Sequence, residues 1–207
     1  MAKSTNISSA MAAEINHYLQ LVDLNDHLPI NTGLRSANQQ SMISVLGSPL
    51  MPLTTNDQPD RASPLVNRLR QTVRVSQHVV VTAIRPAIES LKIILTKTFQ
   101  QERGNGHDLE SVLSTDGMLV VRLRRPTSGL PSTKISNHAW GTAIDMKIIG
   151  HSSPGNTGHS IPRFIAVLLP FFNEEGWFSG IAFHDSMHFE VAEGTISQWL
   201  SDGRFAR

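Results

Sequence analysis

Residues 142–149, Thr-Ala-Ile-Asp-Met-Lys-Ile-Ile, alternate with period two. As a strand they set Ile144, Met146 and Ile148 on a core face and Ala143, Asp145 and Lys147 on the opposite one. A strand of this kind demands a sheet covered on one side only. It also carries a carboxylate, Asp145, away from the core.

The rest of the chain supplies the cover. Residues 86–100 predict the clearest helix: proline in its first turn, Ile88, Leu91, Leu95 and Phe99 on one face, and Gly104 beyond its end. Helices are also expected over 12–24 (Ile15, Tyr18, Leu19 and Val22 on one side), 37–46 (ended by Gly47 and Pro49) and 162–173 (ended by Gly176). Strands are expected over 118–123, 181–183 and 187–191, and a capping box of Thr195 and Gln198 would open a last helix. In the 118–123 strand Leu119, Val121 and Leu123 share one face while Val120, Arg122 and Arg124 share the other. Residues 152–158 read as a Ser/Pro/Gly/Asn loop. Helices and strands without strict alternation imply an α+β fold, a single domain with a central antiparallel sheet flanked by helices. Residues 1–28 read as an N-terminal extension with a packing or tethering role, and 29–207 as the main domain.

Composition narrows the chemistry. The 207 residues include no cysteine, which excludes disulfides, thiolate metal sites and a cysteine nucleophile. A net charge of +1 argues against a dedicated nucleic-acid binder, and the Arg122, Arg124, Arg125 cluster can also form a solvated face, a reading at least as good as function for Arg124 and Arg125. The longest apolar run, 164–172, is broken by Pro170 and too short to span a bilayer, so no membrane insertion is expected. No signal peptide is visible at the N-terminus, and synthesis in the cytoplasm is expected.

Two motifs carry the chemistry. Ser136-Asn137-His138-Ala139-Trp140-Gly141-Thr142-Ala143-Ile144-Asp145 is followed by Asp185-Ser186-Met187-His188-Phe189-Glu190. With nine histidines in the chain, a His and an Asp seven residues apart mean little alone. Here His138 precedes the strand, Asp145 points off its core face, and the small Gly141 and Ala143 would leave room beside the backbone. His188 and Glu190 share one face of the last strand, and a bend would bring Asp185 to the same place. Two imidazoles and one carboxylate with a spare carboxylate nearby are what a mononuclear zinc hydrolase needs. Glu190 reads either as a partner orienting a histidine or as an exposed strand residue. His151, His159 and His184 are not read as ligands; His184, next to Asp185, is read as a surface residue ahead of one that tunes Asp185 or touches substrate, and Trp140 and Trp177 are read as packing.

The pattern Ser-x-His-x-x-Gly-x-Ala-x-Asp followed by Asp-x-x-His resembles the zinc D-alanyl-D-alanine carboxypeptidases and the L-alanyl-D-glutamate peptidases of phage endolysins. Trp140, Gly176-Trp177 and the Val-Arg-Leu segment around Arg122 extend the likeness, and looser similarity reaches back through Arg85-Pro86-Ala87 to about Pro29. The resemblance implies a hedgehog/DD-peptidase-like fold and one zinc ion on His138, Asp145 and His188. It implies Asp185 as the general base and acid for attack of zinc-bound water on a peptidoglycan stem-peptide amide. It also implies an upstream arginine polarising the scissile carbonyl, for which Arg122 is the first candidate and Arg124 the second, with Ser136 binding substrate or orienting the His138 loop. A wall-cutting enzyme without a signal peptide would reach its substrate by phage lysis, as a virion component or through a secretion machine. The alternative is a non-catalytic zinc-binding module on the same fold, as in hedgehog signalling domains, and Asp185 argues against it.

Overall fold

The computed structural model describes residues 8–24, 30–125, 132–151 and 159–206. The 152–158 loop lies outside them. In chain order the elements are α1 (Ser9–Leu19), β1 (Leu21–Asp23), α2 (Gln39–Leu46), α3 (Pro64–Leu69), β2 (Arg70–Arg74), β3 (Val80–Ile84), α4 (Arg85–Gly104), β4 (Leu113–Gly117), β5 (Ala143–Ile148), β6 (Ser160–Pro162), α5 (Arg163–Glu174), β7 (Trp177–Ser179), β8 (His188–Val191) and α6 (Glu193–Ser201). The fold is mixed α and β, with a four-stranded antiparallel sheet of order β4-β5-β8-β7 and two small antiparallel pairs, β1-β6 and β2-β3.

The alternation of β5 divides the sheet into two faces. Ile144 and Met146 are fully buried, and Ile144 pairs with Phe189 of β8, which pairs in turn with Ser179 of β7. Phe172 of α5 stacks on Phe189 with ring centroids 3.9 Å apart and meets Trp177 edge-on at 5.5 Å. Each buried aromatic or aliphatic side chain of this kind contributes about 1.5–3 kcal/mol. On the other face Asp145 pairs with His188, and Ala143 with Glu190. The sheet therefore turns its apolar side to the helices and its ionisable side outward, where the site lies.

Helix α4 buries Ile88, Leu91, Leu95 and Phe99 as the periodicity predicts, together with Ile94. Helix α5 runs unbroken through Pro170, which sits exposed on the outer side. Helix α2 is capped by the Asn38 side chain and ends at Gly47, whose φ is 80°. Helix α1 stops at Leu19, earlier than expected, and the chain continues as β1; Tyr18 is fully buried and donates to Glu102 Oε2 of α4 at 2.8 Å. Trp140 and Trp177 are both fully buried, their indole N–H groups donating to the Gly47 carbonyl and to Ser90 Oγ. They are core residues and offer no stacking surface.

Three expectations are corrected. Residues 118–123 form no strand, although alternation suggested one. β4 ends at Gly117, where a bulge falls between Thr115 and Gly117 and φ reaches 107°. Beyond it the backbone N–H groups of Leu119, Val120, Val121 and Leu123 donate in turn to the Thr82 carbonyl, the His138 carbonyl, Asp57 Oδ1 and the Thr54 carbonyl. With a different partner at each step the segment is extended but belongs to no ladder, apart from one bridge between Leu123 and Ile135. Residues 181–183 form a 3-10 turn rather than a strand, because Asp185 N–H returns to the Gly180 carbonyl. Thr195 caps nothing: it lies inside α6, and its hydroxyl donates to the Gly176 carbonyl at 2.8 Å, tying α6 to the end of α5.

Candidate metal centre

His138 lies in a short 3-10 turn, Asn137–Trp140, that runs directly into β5 through Gly141. Gly141 adopts φ 65°, and a Cβ there would press to 3.1 Å on the Ala83 and Ile84 backbone. Its small size thus serves the packing of this turn on β3, not the room for substrate that the sequence suggested. Asp145 follows on the outward face of β5. Thr115 Oγ1 donates to the Asp145 carbonyl at 2.7 Å and so fastens the β4 bulge beside it. His188 opens β8 directly opposite Asp145.

Three ligand-type atoms converge: His138 Nε2 lies 3.2 Å from Asp145 Oδ1, His188 Nδ1 lies 3.0 Å from the same oxygen, and the two nitrogens are 3.3 Å apart. Zinc bonds of about 2.0–2.1 Å in tetrahedral array keep ligand atoms roughly 3.3 Å apart, so the group fits such an ion. The remaining ring nitrogens are committed elsewhere. His138 Nδ1 is 3.1 Å from the Met118 carbonyl, and His188 Nε2 is 3.0 Å from Glu190 Oε2. A proton held at each of those positions leaves a lone pair on the converging nitrogens. Among the described residues this is the one such group of histidine and carboxylate ligands.

Glu190 is buried at 2% exposure. It accepts from His188, from Asn137 Nδ2 at 2.7 Å and from the Ser36 hydroxyl. Burial alone would raise its pKa, but His188, Ser36 and Asn137 together hold it below the ordinary glutamate value. Asp145 follows the same logic more strongly, with burial outweighed by hydrogen bonds from His138 and His188, so its pKa falls far below the carboxylate range. For His188 burial opposes the charge, yet Asp145 and Glu190 raise it to about 9. Without metal, a proton on His188 offsets the two carboxylates.

Asp185 lies on the 180–188 loop, which is folded tightly. A Cβ on Gly180 would collide with the Asp185 carbonyl, and His184 takes a left-handed φ of 64° immediately before it. Asp185 as a residue is exposed, but its carboxyl is crowded. That desolvation, opposed by His188 and reinforced by Asp145, raises its pKa above the ordinary aspartate value. The carboxylate is thus within electrostatic reach of the three-residue group but is not one of its members.

Arg122 is half-buried, and Nη1 donates to the Leu123 carbonyl at 3.1 Å. Burial and Arg125 lower its pKa while Asp145, Asp57 and Asp185 act against them, which places the guanidinium in the field of the site. Its Nε is buried without a hydrogen-bond partner among the described residues. Arg124 is exposed, its Nε 3.4 Å from the Ile135 carbonyl. Ser136 is buried at the head of the His138 turn, its N–H donating to the Arg122 carbonyl at 3.1 Å. His151, His159 and His184 are exposed and outside the converging group. Ser36 and Asn137 had no reading in the sequence; Asn137 was signalled only by its place beside His138, and Ser36 by nothing.

No curated protein matches the chain. Residues 131–191, which include His138, Asp145, Asp185 and His188, match the family model described as D-alanyl-D-alanine carboxypeptidase, a match that supports a peptidase.

Proposed function

We propose that the chain is a zinc-dependent peptidase that hydrolyses peptidoglycan stem peptides, as a D-Ala-D-Ala carboxypeptidase or an L-Ala-D-Glu type endopeptidase. The observation that carries this reading is the convergence of His138 Nε2, Asp145 Oδ1 and His188 Nδ1 within 3.3 Å of one another, inside the segment similar to the carboxypeptidase family. His138, Asp145 and His188 would hold one ion. Zinc bound there supplies Lewis-acid polarisation and makes water a better nucleophile at neutral pH.

The chain's own residues do the rest. Asp185, with its raised pKa, takes a proton as the water oxygen adds to the amide carbon. It returns that proton to the amine nitrogen as the C–N bond breaks, leaving a carboxylic acid and a free amine, which settle as carboxylate and ammonium. Arg122 holds the carbonyl oxygen as negative charge develops on it. Glu190 and the Met118 carbonyl keep the two imidazoles in the orientation that presents a lone pair to the ion. Arg124 binds substrate at the rim, and Ser136, buried at the head of the His138 turn, binds substrate from within or orients that turn.

The peptidase unit spans residues 29–207, with 1–28 as an extension whose helix α1 packs on it. Among the described residues no helix is long and apolar enough to cross a membrane. Mass spectrometry of products from defined muropeptides, with zinc-loaded and chelator-treated protein, tests the reading. A new amine and carboxylate at one peptide bond, formed only with metal, is the expected result. Zinc binding with every muropeptide left intact would overturn it in favour of a non-catalytic zinc module.

A further inference from the structure

Phe183 stands out beside the site because it is 47% exposed, while Phe178 next to it is half-buried and the His188 ring is buried. The loop that carries it is closed mainly by other groups, although the Phe183 ring covers Gly180, where an added Cβ would meet Phe183 Cε2 at 2.9 Å. Ile181 is the buried residue there, and the turn is closed by Asp185 N–H donating to the Gly180 carbonyl at 2.9 Å and His184 N–H to the Ile181 carbonyl at 3.2 Å. The Phe183 ring instead lies 5.7 Å from the His188 ring, inclined by 56°. It also stacks on Phe178, centroids 6.3 Å apart and planes 15° off parallel.

Strand parity explains how the pair reaches the site. Phe178 pairs with Glu190 in the β7-β8 ladder, and Asp145 pairs with His188 in the β5-β8 ladder. Paired residues share a face, so Phe178 stands on the outward face with Glu190, His188 and Asp145. Phe183 and Phe178 are therefore two layers of one apolar wall, rising from the β7 edge beside a metal ligand and two residues from Asp185. An apolar ring left in water at that position gains by covering an aliphatic group of whatever lies over His188.

We propose that Phe183, backed by Phe178, is a specificity-determining residue: it forms the wall of a subsite that takes the methyl or short aliphatic side chain of the residue flanking the peptide bond held at the His138–Asp145–His188 group. The inference rests on the reading that a peptide occupies this site. It adds which side chain of the peptide is selected, and by what.

The test compares zinc-loaded wild type, Phe183→Ala and Phe183→Leu on paired peptides carrying alanine or glycine on either side of the bond. The kcat/KM ratio of alanine to glycine is read, and calorimetry gives Kd for the same peptides on Asp185→Asn and on Asp185→Asn/Phe183→Ala. Zinc content and circular dichroism confirm that each variant is folded and loaded. At one flanking position wild type should favour alanine about fourfold, the value of one buried methyl group. Phe183→Ala should bring that ratio to about one, in kcat/KM and in Kd alike, while Phe183→Leu keeps most of it. An unchanged ratio at both positions in Phe183→Ala overturns the subsite and leaves the peptidase reading intact. Hydrolysis absent in wild type, with a Phe183-dependent Kd preference for alanine, supports the subsite and overturns the hydrolytic reading. Neither hydrolysis nor peptide binding overturns both.

Discussion

Asp145 and His188 stand directly opposite one another in the β5-β8 ladder, with Asp145 Oδ1 3.0 Å from His188 Nδ1. The contact is set by backbone register, so the half-site from the first motif and the half-site from the second meet through sheet hydrogen bonding rather than through a flexible loop. In the metal-free protein the same contact holds a proton. His188 is raised to about 9, above its ordinary 6.5, so the stabilisation this proton gives is complete below about pH 6.5 and is lost as pH climbs through 9. A metal ion must displace the Nδ1 proton. Zinc binding at pH 7.5 should accordingly release about one proton from His188, and the number should fall toward zero above pH 9. Calorimetric titration in buffers of different ionisation enthalpy measures it, and zinc uptake without buffer-dependent heat would refute the assignment.

Glu190 touches no converging atom, yet two side chains, Ser36 and Asn137, and a buried position fix it on His188 Nε2. Glu190→Gln should retain the fold and lower zinc affinity about 10–100-fold, the usual range for a partner that orients a metal-binding histidine. Ser36→Ala, which removes one of the donors to Glu190, should cost less. Competition with a chromogenic chelator ranks the three proteins, and equal affinities would count against the role.

Asp185 is separable from the metal group by chemistry. Asp185→Asn should bind zinc as wild type does and lose about 10²–10⁴ in kcat, the range expected for a missing general base. His138→Ala should lose both zinc and hydrolysis. Wild-type turnover in Asp185→Asn would rule out the proposed proton path.

The two arginines differ in a way their spacing in sequence hid. Alternation put Arg122 and Arg124 on one face of a strand, but the segment bonds to a new partner at each residue, leaving Arg122 half-buried in the field of Asp145 and Asp185 and Arg124 exposed. Arg122→Ala should cost about 10²–10³ in kcat, as loss of an oxyanion donor does. Arg124→Ala should change mainly KM. Steady-state kinetics on a defined muropeptide separates them, and equal losses in kcat would assign both to the same step.

What could be read from sequence was what local periodicity controls. The alternation of β5 put Asp145 off the core face, and the 3.6-residue spacing of Ile88, Leu91, Leu95 and Phe99 gave α4, because in both cases burial of one side decides the structure. Residues 118–123 and 181–183 carried the same short-range signals, but their conformations were decided by non-local partners and by Gly117 and Gly180. Neither the Ser36 contact to Glu190, across 154 positions, nor the close approach of Gly141 to β3 leaves a pattern that spacing can show. The convergence of His138, Asp145 and His188 was legible because their residue types are chemically unusual together; its support was not, since serine, asparagine and a main-chain carbonyl are unremarkable in any sequence.

Gly180 provides the test that separates loop geometry from metal geometry. A Cβ at this position would run into the Asp185 carbonyl, meet Phe183 Cε2 at 2.9 Å and sit 3.0 Å from His188 Cβ; the Phe183 ring can swing aside, but the Asp185 carbonyl is main chain and His188 Cβ is held by β8. Gly180→Ala must therefore open the 180–185 turn, breaking the hydrogen bond from Asp185 N–H to the Gly180 carbonyl. Asp185 moves with its backbone, while His188 stays paired with Asp145 by β-ladder register. The expected outcome is a fall in kcat comparable to that of Asp185→Asn, about 10²-fold or more, since misplacing a catalytic group by about 1 Å has that effect. Zinc affinity should fall less than tenfold, and the melting temperature by a few degrees, in line with about 1–3 kcal/mol of strain. Parallel measurement of zinc affinity, melting temperature and kcat decides it. A variant that loses metal in proportion to activity would show that the loop and the metal group form one rigid unit, not the two separable parts that the ladder and the turn describe.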